Sequence, residues 1–443
     1  MTTLPFLYVA LRTHQATDRL NCPVCPPLSS NVPSDTNLAS RKGVDSMDRR
    51  HLLKNSLALG GLVGMGTTAT AQTARVPLMD RPFNLAPIRA HVDRIYDIKC
   101  CIRPFRTKGP RLDVEQIGDA MVVHNYGHSG AGWSLSWGSA DMQVQKAMSR
   151  GPKRIAVIGC GIIGITSALM AQRAGAQVTI YAREVFHRTR SVRANGSWTP
   201  ASHMALASEA PSNLGDTWER MTRISWKNLR QFVGMASNPV AFADHYYLSD
   251  MPFDAAPPPP PPSPEPLPEY YELGDRIGDI TPTRQALTPN LHPFPVKFAT
   301  RTTRMFFNFS EYGHVLMSDF FAAGGKLVMR DFHSPGELAH LAEKVIINCP
   351  GYAAHDWWKD KAMVPHRGQT EWLIPQPEVN YGLTYRNIEA LSKSDGIMVI
   401  DTGIPGALPK GYGSSNEVPD RAEAERAVRV MEDLYSRFPA NPV

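Results

Sequence analysis

Along this chain the hydrophobic pattern changes period several times, and each change predicts an element. Residues 154–158 read RIAVI, in which Arg154 leads an unbroken apolar run with β-branched members. A run of that kind, rather than an alternating one, predicts a strand covered on both faces. Residues 162–173 return to helical spacing and Gly175 closes them, after which AQVTIYARE (176–184) reads as the next strand. Upstream, DAMVVHNYG (119–127) reads as a strand and GWSLSWGSADMQVQKAM (132–148) as a helix. Downstream, residues 217–236 read as an aromatic-bearing helix. HVLMSDFFAAGGKLVMRDF (314–332) reads as a helix, a Gly-Gly stop and a strand. KVIINCPG (344–351) is another buried strand, and a charged amphipathic helix follows Asp420 to about Phe438. Strands alternating with helices predict an α/β chain with a mostly parallel sheet.

Composition narrows the function classes without naming one. The 443 residues suffice for a two-lobed protein or two to three domains, and the net charge of +6 is mild. No dense basic stripe tracks a phosphate backbone, so nucleic acid is not an expected partner. The cysteines, Cys22, Cys25, Cys100, Cys101, Cys160 and Cys349, are scattered and outline no disulfide framework.

From Met47 the chain reads as an export signal: Arg49 and Arg50, an apolar stretch over 57–65, then Ala69-Thr70-Ala71 as a cleavage site. The apolar stretch is too short and glycine-rich to span a bilayer, so no stable membrane span is expected. The paired arginines resemble a twin-arginine signal, which implies the twin-arginine export machinery as partner. The expected location is therefore periplasmic or secreted, reached already folded. Residues 1–46 precede the signal, and translation is expected to start at Met47. A proline-marked irregular lead-in fills 72–95, and the proline-rich 257–269 reads as an extended, solvated insertion.

The segment VIGCGIIG carries Gly159, Gly161 and Gly164 between a buried strand and a helix opened by Ile162 and Ile163. Glycines at these places allow a tight turn, a close approach of backbone to a pyrophosphate, and close helix–strand packing. Glu184, at the end of the next strand, falls where a carboxylate accepts from ribose hydroxyls. An acid there favours FAD or NAD over NADP, although Arg183 adjoins it.

Three further stretches, SVRANGSWTP (191–200), INCPGYAA (347–354) and HRGQ (366–369), together resemble the D-amino-acid oxidase family of flavoproteins. The resemblance implies FAD as cofactor, lined by Ser191, Arg193, Ala194, Gly196, Trp198, Gly351, Arg367, Gly368 and Gln369. It also implies a Rossmann-type FAD-binding domain with a mostly parallel sheet plus a second α+β substrate domain. The family's chain ends with an arginine-proline element, a strand and a glycine-rich loop opening a final helix. Here CIRPFRTKGPRL (101–112) and VVHNYGHSGAGWSLSWGSA (122–140) resemble that ending yet precede the nucleotide loop. The resemblance thus covers about residues 97–438 in rotated order, as a circular permutation would leave it. The expected division is FAD-binding over 96–205 (96–150 matching the family's C-terminal part), substrate domain over 206–310, FAD-binding again over 311–370, and substrate domain with return helix over 371–443.

By the same resemblance Arg103 is the substrate's carboxylate receptor, with Arg106 next in line; a guanidinium can grip a carboxylate through two parallel hydrogen bonds. The loop and first turn comprising Gly127, Ser129, Gly130, Ala131, Gly132 and Trp133 would offer backbone N–H groups and a helix dipole to the flavin. Tyr385, with Tyr381 behind it, is the candidate for the family's substrate-covering tyrosine. His124 and His128 have metal-like spacing, but glycines break the helix that would align them; packing and hydrogen bonding are expected, not a metal.

The implied activity is oxidation of a D-amino acid or related amine by hydride transfer to FAD. The imino acid formed would hydrolyse to a keto acid and ammonia, with O2 reduced to H2O2. Two alternatives stay open: a flavin dehydrogenase of the same fold feeding a quinone or other carrier, and a non-catalytic flavin-binding protein that engages a partner through its polyproline insertion.

Overall fold

The computed structural model describes residues 83–255, 259–263, 266–289 and 292–438. The export signal over 47–71, residues 1–46 with Cys22 and Cys25, the first part of the lead-in and parts of the proline-rich insertion lie outside the described residues.

In chain order the strands are β1 (Ile95–Arg106), β2 (Val114–Ile117), β3 (Ala120–His124), β4 (Arg154–Ile158), β5 (Gln177–Ala182), β6 (Val240–Ser249), β7 (Gln285–Ala286), β8 (Phe298–Phe307), β9 (Lys326–Met329), β10 (Val345–Asn348), β11 (Met363–Leu373), β12 (Gly382–Tyr385), β13 (Ile388–Lys393) and β14 (Gly396–Asp401). The helices are α1 (Gly132–Met148), α2 (Ile162–Arg173), α3 (Leu214–Leu229), α4 (Phe309–Ala322), α5 (Ala354–Trp357) and α6 (Arg421–Ser436). The described strands form two sheets, one of six strands in the order β2-β3-β10-β4-β5-β9 and one of eight in the order β1-β11-β14-β13-β12-β6-β8-β7.

The smaller sheet is parallel except for β2, which runs antiparallel to β3. β4 owes its unbroken apolar run to its central place. Ile155 and Val157 point into the core shared with α1 and α2, while Ala156 and Ile158 point to the opposite face against Phe332, Leu338 and Ile346. Burying each large aliphatic side chain is worth roughly 1.5–3 kcal/mol, so a strand buried twice over anchors the sheet. α1 lies against α3 through its small residues: a Cβ at Gly138 would fall 2.0 Å from Met221 O.

The larger sheet is mixed, with antiparallel pairs except β12 and β6. Its two faces separate by the period of two. Leu383, Tyr385, Ala390, Ile397 and Val399 pack with Val428, Met431 and Leu434 of α6. Leu391, Met398 and Ile400 face the other way, into the core shared with β4, α1 and α2. Asp420 caps α6 by accepting from Glu423 N–H at 3.0 Å. β1 and β11, which the sequence division assigns to the nucleotide-binding part, are the edge strand of this larger sheet and its neighbour. The long antiparallel pairing between them decides their membership, and short apolar runs do not announce it.

Candidate active site

A cavity of about 460 Å3 runs between the two sheets. At one end β4 delivers the chain into the glycine turn. Gly159 has φ +96°, and a Cβ there would lie 2.4 Å from Cys349 O; a Cβ at Gly164 would lie 2.0 Å from Gly159 O. Only glycine allows this turn and this contact between α2 and the strand ends. Ile162 N–H, at the start of α2, donates to Ser191 Oγ at 3.0 Å. Gly159, Gly161, Ile162, Ile163, Gly164, Glu184, Ser191, Arg193, Ala194 and Gly351 all line the cavity. Among the described residues, Glu184 has its neighbour Arg183 alone within ion-pair reach, at 3.8 Å.

The loop after β3 forms the next stretch of wall, where Gly127, Ser129, Gly130, Gly132 and Trp133 border the cavity. Ser129 is held at φ +50°, an uncommon backbone for a side chain of this kind. Its hydroxyl and His128 Nδ1 are buried without a protein partner. Trp133 Nε1–H donates to Ser191 O at 2.8 Å and so ties this loop to the stretch facing it. These residues fit an anionic dinucleotide carrying a flavin: a glycine cradle at a helix N-terminus, an acid at one end and an orphaned hydroxyl farther along. His124 and His128 turn to separate partners: His124 to Glu115 at 3.0 Å and Asn348 at 3.1 Å, His128 to Ser139 at 2.8 Å.

Arg103 also lines the cavity, and its guanidinium has no hydrogen-bond acceptor or carboxylate partner among the described residues. It sits over Gly368, where a Cβ would come within 2.9 Å of Nη2. Beside it, the rings of His203 and His366 lie 5.1 Å apart. Burial, then Arg103, lowers His203 to about 4. Burial, then Arg103 and His203, lowers His366 to about 3. Both imidazoles are therefore neutral at physiological pH, and the local charge is that of Arg103 alone. Tyr270 packs edge-on against His203 at 4.5 Å and against Phe105 at 5.7 Å, with its hydroxyl buried and unpartnered.

A second arginine, Arg304, borders the cavity but is already paired, 3.3 Å from Glu389 Oε2. Burial opposes ionisation of Glu389, yet Arg304, His245 and Ser197 together hold its carboxyl below the ordinary range. A loop over 402–420 closes one side of the cavity. Arg190 grips Glu417 in it through Nε and Nη2 at 2.7 and 2.6 Å.

Several expected site residues sit elsewhere. Tyr385 does not face the cavity: its hydroxyl donates to Asp250, receives Arg437 Nη2 at 2.6 Å, and its ring lies on the α6 side. The period of two in β12 sends Thr384 to the cavity side, where it meets His245 at 2.8 Å, and Tyr381 and Tyr385 to the other. Arg106 donates to Asp360 at 2.9 Å and Gly109 O at 3.1 Å, a structural pairing. Gly196 and Trp198 are displaced from the wall. A Cβ at Gly196 would strike Lys393, and Trp198 packs on Trp226 at 4.7 Å. Ala131 is wholly buried in the core beneath the loop. Arg367 and Gln369 border the cavity, but their side chains turn towards α6. Arg367 Nη1 reaches Glu423 at 2.9 Å, and Gln369 Nε2 reaches Asp420 O at 2.9 Å.

The residues that sequence reasoning passed over are His203, His366, Tyr270, Arg304 and Glu389. For His366 a signal existed. It opens HRGQ, and strand alternation puts it on one face with Gly368, opposite Arg367 and Gln369.

Among known proteins, the sequence pattern of the family described as "DAO: FAD dependent oxidoreductase" matches residues 154–442. A D-amino-acid oxidase of Fusarium vanettenii is 47% identical over 45 residues, 10% of this chain and 12% of that protein's length. Glycine oxidase from Geobacillus kaustophilus superposes with a TM-score of 0.42 at 12% identity, over 64% of this chain and 78% of the other. L-proline dehydrogenase from P. horikoshii does so with a TM-score of 0.40 at 14% identity, over 65% and 77%.

Proposed function

The chain belongs to the DAO family of FAD-dependent oxidoreductases, and from that premise we propose that it oxidises a D-amino acid or related amine bearing a carboxylate. The product is an imino acid, which water converts to a keto acid and ammonia, and the electrons pass finally to dioxygen as hydrogen peroxide. FAD, when bound, supplies the two-electron acceptor, held by Gly159–Gly164, Glu184 and the 127–133 loop. The observation that carries the reading is Arg103, a guanidinium lining the cavity with no anionic partner among the described residues. An unbalanced cation of this kind receives a carboxylate through paired charge-assisted hydrogen bonds, fixing orientation as well as position. Neutral His203 and His366 add no competing charge, and Tyr270, packed on Phe105, backs the His203 ring. Anaerobic mixing with a panel of D-amino acids tests it: the flavin absorbance bleaches in the wild type and not in Arg103→Ala. An absence of bleaching by any amine overturns the reading, and peroxide yield against dye reduction separates oxygen from another acceptor.

The same proposal includes export in folded form through the twin-arginine machinery, supported by Arg49, Arg50 and Ala69-Thr70-Ala71. Replacing both arginines with lysine is expected to retain the protein in the cytoplasm; unchanged export refutes it. Circular permutation is supported by the order of the motifs, since the family pattern begins at residue 154 and the IRPFR and HNYGHSG stretches precede it.

A further inference from the structure

We propose that His366 Nδ1 accepts a hydrogen bond from the bound substrate's amine, so that Arg103 and His366 together select α-amino carboxylates over carboxylates without a donor. This rests on the reading of Arg103 as carboxylate receptor and adds a second point of recognition to it.

Register supplies the geometry. Arg103 and His366 are cross-strand partners in the antiparallel β1–β11 pair, and Cys101 partners Gly368. Partners directly opposite present their side chains on the same face a few ångströms apart. The guanidinium and the imidazole therefore stand side by side, over a glycine that leaves room for both.

Hydrogen bonding supplies the chemistry. His366 Nε2 lies 3.1 Å from Lys410 O, and a carbonyl can only accept, so in the neutral ring Nε2 carries the hydrogen. Nδ1 is then a lone pair, and it is buried without a partner in a residue only 1% exposed. Buried acceptors are normally satisfied, so an orphan bordering a cavity points to a ligand.

Electrostatics keep that lone pair available. The groups around the ring are Arg103 from β1, His203 from the loop after residue 199, and Tyr412 with the Lys410 carbonyl from the 402–420 loop. Lys410 turns its ammonium away, to Asp401 and Glu423. Against the Arg103 charge the imidazole stays unprotonated. His203 is held beside it at φ +49°, an uncommon conformation for a non-glycine residue and of a sort that clusters at functional sites.

The same arrangement discriminates substrate from product. An amino or imino acid offers N–H to Nδ1, whereas the keto acid presents a carbonyl oxygen to a lone pair and is held less well.

Calorimetric titration of the full-length, FAD-loaded protein with benzoate and 2-aminobenzoate, which differ by one amino group, tests the proposal. The wild type is expected to bind 2-aminobenzoate about tenfold more tightly, as one buried hydrogen bond would give. In His366→Gln, whose amide can mimic Nε2 but not Nδ1, the ratio falls to about one while benzoate affinity changes little. His366→Asn, whose oxygen falls near the Nδ1 position, restores most of the preference. Equal affinities in the wild type, or a preference that survives His366→Gln, overturn the proposal. Equal wild-type affinities overturn it even if one variant fails to fold, and the other variant then carries the assignment to His366. If Arg103→Ala binds benzoate as tightly as the wild type, the carboxylate reading itself falls.

Discussion

The Arg103 guanidinium rests on the backbone of Gly368, so close that a single added carbon there would lie 2.9 Å from Nη2 and 3.1 Å from Cζ. The obstacle is the flexible end of a side chain rather than backbone, so Gly368→Ala is expected to displace Arg103 without unfolding the protein. Benzoate affinity should fall about tenfold or more, the value of a lost charge-assisted hydrogen bond. The melting temperature should change by only a few degrees, as for about 1 kcal/mol in a protein of this size. Titration and thermal melts of the same preparation check both halves.

Gly164→Ala meets backbone instead, since its Cβ would lie 2.0 Å from Gly159 O. The helix must then lift from the turn that holds the dinucleotide. Stability should drop by roughly 1–3 kcal/mol, as overpacking at a close contact does, with loss of flavin colour after dialysis. Retention of stoichiometric FAD would show that the turn does not hold the cofactor.

His203 and His366 carry a pH signature. Both lie below the ordinary 6.5, at about 4 and about 3, through burial first and Arg103 next. Below pH 6.5 the unfolded chain binds protons at these rings and the folded chain does not. Stability therefore falls as pH drops from about 6.5 towards 4, and is regained as pH rises. The pair should cost at least about 2 kcal/mol across that window. A His203→Asn, His366→Asn double variant should show a correspondingly flatter acid limb in denaturant titrations at pH 7, 5.5 and 4.5.

Arg190 and Glu417 close the 402–420 loop over the cavity with two short hydrogen bonds, and Glu417 is held below the ordinary carboxylate range chiefly by Arg190. Each side chain keeps about 30% of its surface in water, at 32% and 29%, so the pair is worth about 1 kcal/mol. Glu417→Gln should leave the fold intact and raise the open population of the loop about fivefold. Limited trypsinolysis at Lys410 is the readout, with cleavage accelerating by that factor and slowing again when a carboxylate ligand occupies the cavity.

The elements whose identity rests on local chemistry were legible from the sequence. β4, α2 and their glycine turn fall at the expected residues because a doubly buried strand, a helix and a phosphate turn each write their own pattern. Membership of the larger sheet was not legible for β1 and β11, because it depends on pairing between residues far apart in the chain, such as Arg103 and His366. The site divides the same way. Arg103 sits in a distinctive stretch, whereas Tyr385 was misplaced because a motif does not reveal which face of a two-sided strand meets the cavity. Tyr270 has no signal of its own: it follows the proline-rich insertion and reaches the site only through packing on Phe105 and His203.

If chain order has rotated while positions in space have not, restoring the family order should be nearly neutral. The lead-in runs along α6: near the helix end the Tyr381 hydroxyl bonds Ala86 O at 2.8 Å and the Tyr435 hydroxyl at 2.9 Å, and at the helix start Arg421 reaches Val92 O at 3.0 Å. A gene starting at Lys153, running to Phe438, crossing an eight-residue Gly/Ser linker and continuing from Phe83 to Met148 preserves every described element. Such a linker spans about 15 Å on average, and doubling it adds only about 0.6 kcal/mol of closure cost. The rearranged protein should retain FAD, bleach with the same amines and melt within a few degrees of the parent. A colourless or insoluble product from several linker lengths would mean that the present order is required by the fold.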